Sequence, residues 1–235
     1  MNKKNILIIG LLIVVIVGVF IFGNKGEPTD SEKFKKEYEA LNTEKTDSGK
    51  SYRELSISKK NPIVYSTAED IVKRIDNKET FIVYFGFSKC PWCRSILPTM
   101  FEVAKDLDID TIYYVDVLDI RDTKEYKDEE IVTTKEGTSG YNDLLNRLEN
   151  VLDIYKLVDN EGNQIETDYK RIYAPNIVAI VSGKAESMTT GISDKQDDAY
   201  MEITDDMKKE MYNKIKCTME CVSLKATVCE KKDAC

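Results

Sequence analysis

The chain has 235 residues, of which 42% are hydrophobic and 32% charged, and its formal net charge at pH 7 is −8. This length is sufficient for one well-buried domain with appended segments. The acidic balance argues against a nucleic-acid partner, which would require a basic face. The sequence contains no histidine, so neither a histidine base nor a histidine metal ligand is present in it.

The first feature along the chain is an apolar segment near the N-terminus. From Ile6 to Phe22 no side chain is polar, and two lysines precede the run. A helix over residues 5–23 would rise about 28 Å, close to the hydrocarbon thickness of a bilayer. A cleaved signal peptide is the alternative, but the run is long for one and no small-x-small cleavage site follows it. We therefore predict a cytoplasmic tail over residues 1–4 and an uncleaved transmembrane signal anchor over residues 5–23, with the rest of the chain extracytoplasmic.

A polar segment follows, over residues 24–60. Its composition predicts a solvated tether that holds the next domain away from the membrane. Phe34, Tyr38 and Leu41 recur at helical spacing, which predicts a short helix within the tether.

Residues 61–215 alternate between strand and helix patterns. The buried-strand candidates "TFIVYFGF" and "TIYYVDVLD" are separated by the helical stretch "RSILPTMFEVAKDL". This alternation predicts an α/β domain. Residues 120–170 within it are rich in charge, and they contain an amphipathic helix pattern and a hairpin turn at Asn160, Glu161 and Gly162.

Two cysteines lie between the first of these strands and the helix. Cys90 and Cys93 flank Pro91 and Trp92, the only tryptophan of the chain. Proline is tolerated in the first helical turn, so we expect Cys90 to be the N-cap residue. The free N–H groups and the dipole of a helix N-terminus favour thiolate over thiol. We therefore predict that Cys90 attacks a disulfide and that Cys93 resolves the product.

Charged residues flank the cysteine pair, and two other uses of the pair are possible. Lys89 and Arg94 are expected to add positive charge next to the thiolate. A zinc site needs four ligands, and the other cysteines are remote in sequence. A purely structural disulfide would close a very small loop and constrain little chain.

The stretch "TFIVYFGFSKCPWCRSILP" resembles the active-site segment of thioredoxin-fold proteins, including the position of Pro98. The later stretch "RIYAPNIVAIVSGK" is similar to the cis-proline strand of that family. The resemblance implies a thioredoxin-like fold and a cis bond between Ala174 and Pro175 beside Cys90. It also implies that Pro91, Trp92, Ala174 and Pro175 contact the substrate.

Two features depart from the thioredoxin pattern. Tyr84 occupies the position where thioredoxins keep a buried aspartate, so Tyr84 or water would have to replace that carboxylate. The interval from Cys93 to Pro175 is about twice the thioredoxin length, which implies an insertion at about residues 120–170. We expect a helical cap near the active site, as at a similar insertion point in periplasmic disulfide oxidoreductases. Over residues 61–195 the chain is most similar to bacteriocin-transport accessory and bacteriocin-maturation disulfide isomerase proteins.

The remaining cysteines form a C-terminal cluster in residues 216–235. We expect two structural disulfides, Cys221–Cys229 and Cys217–Cys235, that hold the C-terminal segment, which would otherwise be poorly ordered, against the last helix. Four cysteines permit three pairings, so the spacing alone does not select this one. A zinc site is the alternative use of these cysteines.

These patterns together predict an α/β protein with a thioredoxin-like fold and a helical insertion, preceded by an N-terminal transmembrane helix. The predicted activity is thiol–disulfide oxidoreduction or isomerisation outside the cytoplasm, without a cofactor or metal. Expected partners are cysteine-containing exported proteins or peptides, a membrane or extracytoplasmic redox partner, and the membrane itself. The alternatives are a non-catalytic thioredoxin-like binding module accessory to peptide export, with the cysteine pair locked as a disulfide, and a zinc-stabilised module.

Overall fold

The computed structural model describes residues 27–223. The predicted transmembrane anchor over residues 5–23, and Cys229 and Cys235 of the cysteine-rich tail, lie outside the described residues. Within residues 27–223, no helix has the length and hydrophobicity needed to cross a membrane.

The described elements follow one another in a mixed order of helices and strands. They are α1 (Asp30–Glu39), β1 (Ile63–Tyr65), α2 (Ala68–Asp76), β2 (Phe81–Gly86), α3 (Pro91–Asp106), β3 (Ile112–Asp116), β4 (Thr123–Lys127), β5 (Glu130–Lys135), α4 (Ser139–Leu148), β6 (Leu157–Val158), β7 (Gln164–Ile165), β8 (Asn176–Val181), β9 (Lys184–Thr189) and α5 (Asp205–Ser223).

The centre of the described region is a five-stranded mixed sheet with the strand order β1-β3-β2-β8-β9. Strands β1, β3 and β2 are parallel, whereas β8 and β9 run antiparallel to their neighbours. Every residue of β2 is buried, as the continuous apolar run predicts for a central strand. The predicted α/β class is therefore confirmed.

Side chains alternate in direction along each strand, so β2 presents apolar residues on both faces of the sheet. Helices cover both of these faces. Ile82 and Tyr84 of β2 join a core cluster with residues of α1, α3 and α5. Val83 and Phe85 join a second cluster with residues of α2 and α4. The cysteine pair belongs to the first cluster, so its environment is built by α1, α3, α5 and the sheet.

The predicted tether over residues 24–60 is wrong for its greater part, because this segment packs into the domain. Helix α1 begins after a capping box formed by Thr29 and Glu32. Phe34 and Tyr38 lie one helical turn apart and are fully buried, and the Phe34 ring meets the Tyr114 ring edge-on at 5.0 Å. Three further apolar residues of the segment are also buried: Tyr52, Leu55 and Ile57. The short helix predicted from the spacing of Phe34 and Tyr38 is present, but the polar composition wrongly indicated that it is solvated.

The insertion at residues 120–170 is not mainly helical. It consists of the hairpin β4–β5, helix α4 and the short hairpin β6–β7. The predicted turn is present, and Gly162 adopts a φ of +86° there, a conformation that glycine accepts without steric cost. The prediction of a helical insertion therefore holds only for α4.

The C-terminal helix α5 extends beyond the predicted domain boundary at residue 215. Cys217 and Cys221 both lie on this helix, and each takes part in a disulfide bond. The proposed pairing with Cys229 and Cys235 stays a prediction.

Candidate functional site

Cys90 occupies the junction between the central strand β2 and helix α3. After β2 ends, the Cys90 backbone N–H donates to the Phe87 carbonyl at 3.1 Å, and α3 begins at Pro91. Cys90 is the N-cap residue, as the sequence predicts, and its sulfur accepts a hydrogen bond from the Cys93 backbone N–H at 3.2 Å. The sulfur therefore faces the N–H groups at the positive end of α3.

The chain segment before β8 lies against this sulfur. The Ala174–Pro175 peptide bond is cis, as the resemblance implied. The Cys90 thiol donates to the Ala174 carbonyl oxygen, with a sulfur–oxygen distance of 3.3 Å. The fold thus brings together two segments that are far apart in sequence, and both contain residues predicted to contact a substrate.

The two cysteine thiols differ in their environments. Both are in the free form; Cys90 is 3% exposed and Cys93 is 0% exposed. Burial alone would raise the pKa of Cys90, but hydrogen bonds from the Cys93 side chain and from the backbone N–H groups of Cys93 and Trp92 bring it below its ordinary value. Burial, together with the hydrogen bond and charge of Cys90, raises the pKa of Cys93 well above its ordinary value. At a given pH, Cys90 therefore has the greater thiolate character.

The cation that acts on Cys90 is Arg121, which sequence reasoning missed. The positive charge of Arg121 lowers the pKa of the Cys90 thiol further, by a smaller amount than the hydrogen bonds do. The guanidinium lies over the ring of Phe87, 5.1 Å from the ring centroid, and the Phe87 carbonyl accepts the Cys90 N–H. No sequence motif identifies Arg121, because it lies after β3 and is brought near Cys90 only by tertiary packing.

Arg94 does not have the predicted role of flanking the thiolate. Its side chain is fully buried and points into the N-terminal segment. The guanidinium donates to the backbone carbonyls of Arg53 and Tyr38 and to the side-chain oxygen of Asn42. Lys89, the other predicted cation, is exposed. Arg94 therefore fastens residues 38–53 to the active-site helix.

A groove adjoins the cysteine pair. It has a volume of about 660 Å³, and its lining includes Trp92, Ile154, Tyr173, Pro175 and Ile192. Ile154 comes from the insertion and is 47% exposed, although it is a large apolar side chain. A larger cavity of about 980 Å³ is lined by residues 58–62 and part of α3, away from the Ala174–Pro175 segment, and the lining of neither space includes Cys90 or Cys93. Of the residues predicted to contact a substrate, Trp92, Ala174 and Pro175 line the groove, while Pro91 does not.

Among residues 27–223, no group of three or more potential metal-ligating side chains lies together. The sequence matches no protein-family model, and it matches no curated protein.

Proposed function

We propose that this chain is a membrane-anchored, extracytoplasmic thiol–disulfide oxidoreductase with a thioredoxin-like fold. The strand order β1-β3-β2-β8-β9, with the last two strands antiparallel, supports the fold. The apolar N-terminal segment of the sequence supports the location. Oxidising conditions outside the cytoplasm suit both a redox dithiol and the disulfide-bonded state of Cys217 and Cys221.

One observation carries the proposed activity: the Cys90 sulfur lies at the N-terminus of α3 and accepts the Cys93 N–H. These interactions stabilise a thiolate, which is the nucleophile in disulfide exchange. The Cys90 thiolate attacks one sulfur of a substrate disulfide, a mixed disulfide forms, and the other substrate sulfur leaves as a thiolate. The Cys93 thiolate then attacks Cys90, the Cys90–Cys93 disulfide forms, and the second substrate sulfur leaves. The substrate gains two electrons, and the reverse sequence oxidises a dithiol.

The groove supports a polypeptide substrate. The polar backbone of Ala174 lies next to the Cys90 sulfur, and apolar side chains from Trp92 and Ile154 line the same groove. We propose that an exported protein or peptide binds there with an apolar side chain close to its cysteine. The resemblance to bacteriocin-transport accessory and maturation proteins is consistent with such a substrate. A membrane or extracytoplasmic redox partner would restore the dithiol or disulfide.

Trapping of the mixed disulfide tests this activity. In Cys93→Ser the resolving thiol is absent, so a cysteine-containing substrate should accumulate as a mixed disulfide at Cys90, visible as a reductant-sensitive band on a gel. Cys90→Ser should trap nothing, and the wild-type protein should catalyse insulin reduction or the refolding of a reduced disulfide protein. An inactive wild-type protein, or equal trapping by both variants, would contradict the proposal.

A second candidate is the non-catalytic binding module, and the 3% exposure of Cys90 favours it. A disulfide locked in such a module would resist both reductant and alkylation at neutral pH. The oxidoreductase instead requires that the pair be reduced readily and that Cys90 then be alkylated before Cys93. Mass mapping of the alkylated cysteines after mild reduction separates the two candidates.

A further inference from the structure

Tyr84 lies on β2 directly behind the cysteine pair. Its side chain is fully buried, and its ring stacks on the ring of Tyr114 with centroids 5.6 Å apart. The Tyr114 hydroxyl has a partner, because the Tyr38 hydroxyl donates to it at 3.4 Å. The Tyr84 hydroxyl, by contrast, makes no hydrogen bond of regular geometry with any residue in the described part of the chain.

This unpaired hydroxyl is directed toward the cysteine loop. It lies over the backbone of Gly86 at the end of β2, so closely that a Cβ at residue 86 would collide with it. The Tyr84 hydroxyl interacts with the Cys93 side chain and lowers the pKa of that thiol. A buried hydroxyl without a regular partner is costly to the folded state, and such groups call for an explanation.

We propose that the Tyr84 hydroxyl is a positioning group that donates a hydrogen bond to the Cys93 sulfur when that sulfur becomes a thiolate. The inference rests on the proposed function, because this thiolate forms when the mixed disulfide at Cys90 is resolved. The Cys93 proton passes to solvent, and the thiolate attacks the Cys90 sulfur. The Cys90–Cys93 bond forms, the bond from Cys90 to the substrate breaks, and the substrate sulfur leaves with the electron pair. Tyr84 keeps its own proton throughout.

The electrostatics of the site support a donor role for Tyr84. Burial, with smaller contributions from Cys93 and Tyr114, raises the pKa of Tyr84 well above its ordinary value, so the phenol is not a base at physiological pH. Burial also raises the pKa of Cys93, whereas the Tyr84 hydroxyl opposes that rise. Of the other side chains, Cys90 disfavours the charge of Cys93, and a hydrogen bond with the Phe87 backbone favours it. Among these side chains, Tyr84 is the one that stabilises the Cys93 thiolate.

The experiment measures attack and resolution separately, in the full chain. The reduced protein is mixed with 5,5′-dithiobis(2-nitrobenzoate) in a stopped-flow instrument. A first release of thionitrobenzoate reports the attack by Cys90, and a second release reports the resolution by Cys93. Cys93→Ser should abolish the second phase. Cys90→Ser measures the thionitrobenzoate that thiols other than Cys90 release, which is the background of the assay.

Tyr84→Phe removes only the hydroxyl oxygen. We expect the first phase to be unchanged and the second to be slowed by about tenfold or more, as for the loss of one hydrogen bond to a charged group. The melting temperature should not fall, because an unpaired buried hydroxyl has been removed. The matched control, Tyr114→Phe, removes a paired hydroxyl from the neighbouring ring and should leave the second phase unchanged.

An unchanged second phase in Tyr84→Phe would overturn the inference while leaving the proposed function intact. Equal slowing of both phases, or equal slowing in Tyr114→Phe, would overturn it in favour of a general packing effect. Absence of both phases in the wild-type protein would overturn the proposed function as well.

Discussion

Substitution of Arg94 is expected to destabilise the whole domain, because this buried guanidinium joins the N-terminal segment to the active-site helix. Its four hydrogen bonds have lengths of 2.6–2.8 Å and end on three acceptors: the carbonyls of Arg53 and Tyr38 and the side-chain oxygen of Asn42. Asn42 also accepts the Leu55 N–H and the Tyr38 carbonyl also accepts the Leu41 N–H, so truncation deprives mainly the Arg53 carbonyl of its partner. At about 1–3 kcal/mol for the unpaired Arg53 carbonyl, and with the lost packing of the buried side chain added, Arg94→Ala should cost about 3 kcal/mol.

Urea unfolding of the oxidised protein, followed by the fluorescence of Trp92, measures this loss in the free energy of unfolding. Arg94→Lys keeps the charge, but its single ammonium cannot reproduce the fork of donors, so we expect an intermediate loss. Limited proteolysis should cut residues 38–53 faster in Arg94→Ala. The matched control is Lys89→Ala at an exposed neighbouring position, which should change stability by no more than about 0.5 kcal/mol. A loss below about 1 kcal/mol in Arg94→Ala, with unchanged proteolysis, would refute the reasoning.

Two further predictions concern the reactive sulfur and the groove. Arg121→Ala should raise the pKa of Cys90, so that the midpoint of its iodoacetamide alkylation moves to higher pH, whereas Lys89→Ala should not move it. Because the folded-state pKa of Cys90 is lowered, its thiolate stabilises the folded, reduced protein at pH values above the ordinary thiol pKa. This stabilisation is lost as the pH falls through the lowered pKa. Arg121→Ala should bring the two pKa values closer together and so reduce the stabilisation. Ile154→Ser should lower the rate with cysteine peptides that carry an apolar neighbour but not with the small disulfide reagent, while Val158→Ser, at a 64% exposed position outside the groove, should affect neither. Unchanged alkylation in Arg121→Ala, or equal rates for the two serine variants, would contradict these expectations.

The strand–cysteine–helix unit was predictable from sequence because its determinants are local. The apolar run of β2 specifies a strand buried on both faces, and Pro91 specifies a first helical turn. Together they place Cys90 at the N-cap, where its sulfur meets the N–H of a residue only three positions away. Hydrogen bonds over such short separations depend little on the rest of the fold.

The N-terminal segment shows where local reasoning failed. Its charged and polar residues suggested a solvated tether, yet Phe34 and Tyr38 fill the space beside Tyr114 in the core. Two aromatic side chains one turn apart are sufficient to dock a short helix, because each buries a large apolar area. The spacing of these residues predicted the helix, but the charged composition of its other face gave no sign that the helix would dock.

The sequence by itself determined the α/β class, the N-cap position of Cys90 and the order of the strand and helix that hold it. Only the tertiary structure decided that Arg94 turns away from the sulfur, that Arg121 takes its place, and that Ile154 of the insertion lines the groove. The physical reason is range: backbone propensity and capping act within a few residues, whereas the charges and surfaces around a reactive sulfur come from segments that meet only when the chain has packed.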